Sequence, residues 1–131
     1  MNILERRQLS PEALKGRAIQ KAIGSDGRSA SKKMTVGYAK YADAYGPMDP
    51  HRHAEETVYV ISSDRGWVRY GKAEEALTET VPLQGGELLH IPEGEWHVFQ
   101  HEPGGHVDIL FIYGQVDNIR PESSNLNEAQ R

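Results

Sequence analysis

The sequence predicts an all-β protein, a barrel or sandwich, on three observations. Short stretches rich in Val, Ile, Tyr and Leu recur along the chain. The 13 glycines and 7 prolines punctuate these stretches instead of pooling in one linker. The longest apolar runs, such as Val58-Tyr59-Val60-Ile61, suit strands and are far too short to span a membrane.

Taken in order, Ser10-Pro11-Glu12-Ala13-Leu14 reads as a short N-terminal helix, with Ser as N-cap and Pro at the first helical position, stopped by Gly16. Strands are expected at Arg17–Ile23, Met34–Tyr41, Glu56–Ser62, Gly66–Tyr70, Glu79–Leu83, Glu87–Ile91, Trp96–His101 and Val107–Gly114. Gly24-Ser25-Asp26-Gly27 joins the first two. Ser63-Asp64-Arg65 and Glu102-Pro103-Gly104-Gly105 read as further hairpin turns. The segment after Pro121 is polar and nearly without anchors, so residues 121–131 are expected to be a flexible tail. No internal repeat stands out, and 131 residues correspond to a single domain.

Composition excludes several functions. Lys and Arg total 15 against 19 Asp and Glu, a formal charge of −4, and no basic cluster exceeds a dipeptide. Nucleic acid is therefore not an expected partner. Without cysteine there is no disulfide, thiolate metal site or cysteine nucleophile. Charge follows closely on Met1 in Glu5-Arg6-Arg7, so no secretory signal or membrane association is expected and the location inferred is cytoplasmic.

All six histidines fall between positions 51 and 106. His51-Arg52-His53 places two imidazoles at i and i+2, which share a face in an extended chain. In Trp96-His97-Val98-Phe99-Gln100-His101 the same parity aligns His97, Phe99 and His101. The carboxylate pair Glu55-Glu56 follows the first histidines. Two such segments facing one interior bring together three imidazoles and a carboxylate, a set suited to a divalent first-row metal with open positions. A lone H-x-H is more often solvated surface. The second segment, Gly86 to His97, is what turns the reading towards metal.

These two segments resemble the signature motifs of the cupin superfamily, G-x5-H-x-H-x(3,4)-E-x6-G and G-x5-P-x-G-x2-H-x3-N. Gly86, Pro92, Gly94 and His97 fall on the second without gaps, while Gly46, His51, His53 and Glu56 approximate the first. The likeness covers about residues 34–114. The gaps from Gly46 to His51 and from His53 to Glu56 are each one residue short, so either Glu55 or Glu56 meets the acidic position. Glu56-Thr57-Val58-Tyr59-Val60 continues as the family does and favours Glu56. No glycine closes the first motif at the usual distance, Gly66 coming late, and His101 stands where the family usually has Asn.

The resemblance implies a jelly-roll barrel, the double-stranded β-helix, with His51, His53, Glu56 and His97 around one divalent metal: Fe, Mn, Ni, Co or Zn. It also implies a homodimer, since members often exchange or add terminal strands. The function expected is a metal-dependent enzyme, of dioxygenase type or an isomerase or cyclase, acting on a small oxygenated metabolite. The other class considered is a non-catalytic binding or sensing protein. His101, facing inward and titrating near neutrality, is the candidate general acid/base, with pocket filling as its alternative. Tyr38, Lys40, Tyr59, Phe99 and His90 are the candidate pocket residues, each weighed against an ordinary core or surface role.

Overall fold

The computed structural model describes residues 1–114; the tail after Pro121 lies outside the described residues. Eight strands run through one sheet system: β1 (Glu12–Leu14), β2 (Arg17–Gly24), β3 (Ser29–Ala30), β4 (Thr35–Ala42), β5 (Glu56–Gly71), β6 (Glu79–Pro82), β7 (Leu88–Ile91) and β8 (Trp96–Tyr113). Their order is β1-β2-β4-β8-β5-β6, with β3 beside β2 and β7 beside β5. Every pairing except β2 with β3 is antiparallel. No helix among the described residues is long and apolar enough to cross a membrane.

Alternation decides what faces in. In β4, Thr35, Gly37, Ala39 and Tyr41 are buried, while Val36, Tyr38 and Lys40 point the other way. In β5, Glu56, Val58 and Val60 are buried and Tyr59 is 42% exposed. The inward set meets Val107, Ile109, Phe111 and Tyr113 of β8 in one core. Outside β4 and β8 the N-terminal segment forms a cover. Arg6 makes a two-pronged bond to Asp108 at 2.7 Å per contact, reaches Gln20 Oε1 at 2.9 Å, and lies over the Tyr38 ring. That cover explains why Asp108, on the outer face of β8, is nonetheless buried.

Three sequence expectations change. The short helix expected at Ser10–Leu14 is instead strand β1, in a hairpin with β2 that pairs Leu14 with Arg17. Gly16 takes φ 86° in the two-residue turn, and pairing to β2 outweighs a capping signal with less than two helical turns behind it. The N-terminal helical turn that does form is a single 3-10 turn at Arg6–Gln8. The second difference is that the two strands expected either side of Ser63-Asp64-Arg65 are one strand, β5. Its register with β8 shifts between Val60 and Ser62 and between Asp64 and Gly66, and Arg65 takes φ 52° at the second shift. The third is that β8 likewise runs through Glu102-Pro103-Gly104-Gly105. Asp64 faces His106 and Gly66 faces His101, so these four residues bulge out opposite Arg65. Turn-forming residues here bend long strands around the barrel instead of ending them.

Candidate metal centre

Backbone bonds bring the two histidine segments together. His51 and His97 form an isolated antiparallel bridge, with N–H to O distances of 3.0 and 2.9 Å. Gly94 N donates to His53 O at 2.9 Å, and Gly94 holds φ 79°, a conformation that favours glycine. The Pro92–Gly94 turn is thereby fastened to the H-x-H segment. Glu56 opens β5 with Ile91 and Tyr113 as its neighbours on either side.

One ligand nitrogen from each of His51, His53 and His97 lies within 4.8 Å of the other two. Glu56 Oε1 lies 3.4 Å from His53 Nε2 and 3.7 Å from His97 Nε2. Parity separates the adjacent acids: Glu56 is 4% exposed inside the barrel, whereas Glu55 is outside against His90. His51 Nδ1 lies 3.1 Å from Asp49 O, His53 Nδ1 2.9 Å from Ala54 O, and His97 Nδ1 2.8 Å from Glu95 O. A carbonyl only accepts, so Nδ1 carries the proton in each ring and Nε2 keeps its lone pair. His97 Nε2 is buried with no hydrogen-bond partner. A buried acceptor without a donor is costly, and a cation among these lone pairs removes that cost. The triad can thus hold a metal, and the donor set suits a borderline divalent ion.

The electrostatics point the same way. Burial, then the neighbouring His53, lowers the pKa of His97 to about 4, and burial, then His97, holds His51 well below its usual 6.5. Both rings are neutral at pH 7. Burial pushes Glu56 up to about 8, against the opposing hydrogen bond from the Tyr113 hydroxyl. In metal-free protein this carboxyl keeps its proton at neutrality.

A pH dependence with a definite sign results. Between pH 4.5 and 8 the folded protein holds a proton on Glu56 that the unfolded chain has released, so its contribution falls as pH rises. His97 acts oppositely between about 4 and 6.5, where only the unfolded chain is protonated, so its contribution rises with pH. Above 6.5 only the Glu56 effect of the pair remains. Urea unfolding of chelator-treated protein is expected to show stability declining from pH 6.5 to 8. Saturating divalent metal should abolish that decline by displacing the proton. A flat or rising profile in the metal-free protein contradicts the burial of Glu56.

Beside the triad is a small space of about 20 Å³, room for about one water, walled in part by Arg17, Ile109, Phe111 and Tyr113. Tyr41 and Phe99 line it and also line a larger cavity of about 440 Å³, with Met48, Trp67 and His101. His101 is placed there, not at the triad. Four residues from His97 amount to ~13 Å along a strand, and its Nδ1 lies 3.8 Å from Asp43 and 2.9 Å from Glu102 O. Of the other candidate pocket residues, Phe99 lines both cavities. Tyr38, Lys40 and Tyr59 do not line them, because strand parity turns them outward. His90 lines neither of these two; it pairs with Glu55 at 2.5 Å on the outside and, with Glu55, Glu56 and Thr57, borders an open space of about 470 Å³ there. Sequence reasoning missed Arg17, Tyr41 and Tyr113. Their parity with Ile19, Ala39 and Phe111 was the available signal.

The protein has the cupin fold, an all-β jelly-roll barrel with a histidine triad compatible with a cupin metal site. It is similar to the polyketide cyclase RemF from Streptomyces resistomycificus, with TM-score 0.72 and 20% identity over 90% of this chain and 81% of that one. A formate complex of oxalate decarboxylase from Lactobacillus farciminis gives TM-score 0.67 and 19% identity, covering 95% of this chain and 36% of that one. Vicilin from Corylus avellana gives 0.60 and 14%, covering 87% and 33%. The sequence matches no family model, and no curated protein is significantly similar to it. At these identities the likeness speaks to the fold, and one fold hosts many functions.

Proposed function

We propose that the protein is a metal-dependent enzyme acting on a small oxygenated metabolite, with His51, His53, Glu56 and His97 as the metal's ligands. The observation that carries this reading is the convergence of three imidazoles whose Nδ1 atoms all face backbone carbonyls, leaving their Nε2 atoms towards one another. A bound divalent ion of Fe, Mn, Ni, Co or Zn supplies Lewis acidity, and with open positions it takes a chelating enol, hydroxy acid or sugar acid. Tyr113 orients the Glu56 carboxylate through its hydroxyl. Tyr41 and Phe99, with ring centroids 5.2 Å apart, keep the reacting end of the cavity apolar and poor in water. A cyclase and a decarboxylase among proteins of similar fold favour chemistry on a metabolite over binding alone. The reaction is of dioxygenase type or an isomerisation or cyclisation.

The test is reconstitution with each of the five metals, followed by an assay against enols, polyphenols and sugar acids. Turnover with at least one metal, lost on chelation, is expected. Tight ligand binding with no product from any metal-loaded form replaces this reading with a non-catalytic binding protein. A role for His101 applies to a substrate long enough to reach the larger cavity. Proton transfer there predicts that His101→Asn slows turnover by about 10²–10⁴-fold and changes the pH–rate profile. An unchanged rate and profile reduce His101 to a wall residue.

A further inference from the structure

We propose that the larger cavity takes a two-ring aromatic alcohol, its rings lying along Tyr41 and Phe99 and its hydroxyl donating to His101. This rests on the proposed function in taking the barrel interior as the binding site, and it narrows the metabolites admitted there. Recognition of the hydroxyl holds whether or not a cation is bound at the triad.

The cavity of about 440 Å³ falls within the roughly 300–1,000 Å³ of an ordinary small-molecule site. Tyr41 and Phe99 are buried on the inward faces of β4 and β8, their rings 5.2 Å apart with 35° between the planes. Both also line the space beside the triad, so one aromatic wall runs from the triad into the cavity. Met48 borders the cavity as well and supplies a polarizable thioether suited to ring edges. A sugar acid or small hydroxy acid would turn several hydroxyls against this wall without partners, at a cost for each. A flat ring buries its faces there without that cost.

The polar groups stand at the far end of that wall. His101 shares a face of β8 with Phe99 and lines the cavity. Its Nδ1 lies 2.9 Å from Glu102 O, so the neutral ring carries its proton there and presents Nε2 as an acceptor. Asp43 holds this end in place. Its Oδ1 is 3.8 Å from His101 Nδ1, and its Oδ2 accepts the Gly104 N–H at 2.6 Å, which ties the β8 bulge to the turn at Asp43–Tyr45. Length then selects the ligand. His97 and His101 are ~13 Å apart along β8, and a metal–oxygen bond at one end with a hydrogen bond at the other leaves roughly 8 Å between the ligand's two oxygens. One benzene ring bearing both oxygens is too short for that span, and two fused rings match it.

The probes are 6-hydroxy-2-naphthoate, its 6-methoxy ether and the one-ring 4-hydroxybenzoate, with the carboxylate marking the end for the cation. Calorimetric titrations use Co(II)-loaded and chelator-treated protein, in wild type, His101→Phe and His101→Leu, with thermal unfolding recorded for each. Loaded wild type is expected to bind the hydroxynaphthoate about 10-fold more tightly than either comparator, the scale of one hydrogen bond left unmade in a buried site. His101→Phe, which keeps a ring and loses the acceptor, should bind the two naphthoates alike. His101→Leu makes the same deletion and takes its place if the Phe variant does not fold. Equal binding of the two naphthoates by wild type, hydroxybenzoate binding as tight as hydroxynaphthoate, no hydroxynaphthoate binding, or a hydroxyl preference that survives loss of His101 each overturns the proposal. Wild type that takes up no Co(II) overturns the metal reading instead, and the hydroxyl preference of the chelator-treated protein then decides this proposal by itself.

Discussion

His97→Ala is expected to weaken divalent-metal affinity by at least 10–100-fold, since losing even a partner behind a ligand costs that much. His97 contributes an Nε2 that is buried and unsatisfied in the folded protein, and its Nδ1 bond to Glu95 O keeps the ring aimed at His51 and His53. No other described side chain is placed to substitute. His101 faces the larger cavity, and His90 is outside the barrel with Glu55. Competition between the protein and a chromophoric chelator for Co(II) or Zn(II) measures the effect, with circular dichroism as the check on folding. His90→Ala is the matched control and should leave affinity unchanged. A His97→Ala protein that binds as wild type does, or a His90→Ala protein that loses metal, contradicts the assignment.

Phe111→Ala is expected to destabilise the protein by about 3–5 kcal/mol, the usual cost of truncating a buried aromatic. Phe111 is 3% exposed, tilts against Tyr113 at 5.3 Å between centroids, and packs over Gly37 of the neighbouring strand. A Cβ on Gly37 would stand 2.7 Å from Phe111 Cζ and 2.7 Å from Gln20 O. Gly37 is thus the space that the ring fills, on a strand held on both sides. Gly37→Ala should be destabilising in its own right, while in the Phe111→Ala background the ring clash is gone and only the backbone contact remains. The double variant should therefore lose less than the sum of the singles. Urea unfolding in the presence of chelator measures all three. Strict additivity would show that ring and glycine do not share this space.

The sequence located the strands well because their alternation and punctuation are local properties, and it located the histidines because parity puts i and i+2 on one face. What it missed depended on which face of a strand meets the interior. In β4 the outward residues include Tyr38, covered by Arg6, and the inward ones include Gly37 and Ala39. An aromatic at Tyr38 and a charge at Lys40 that could meet a substrate carboxylate made both candidate pocket residues, but both lie on the outward face of β4. Tyr59 misled for the same reason. Arg17 escaped notice because a charge at the start of a strand reads as surface, although its parity with Ile19 marks the inward face. The choice between Glu55 and Glu56 needed only the starting parity of β5. His101 shares its face with His97, but the distance along β8 puts a second cavity between its ring and the triad.

The most direct test of the central claim is an anomalous-scattering map from crystals of protein purified without added metal and then soaked in Mn(II), Co(II) or Zn(II). One peak is expected inside the barrel at ~2.0–2.2 Å from a nitrogen of His51, His53 and His97 and from a Glu56 oxygen. Saturated crystals with no density between those four side chains, or with the ion bound only elsewhere, would show that this barrel does not gather its histidines around a cation.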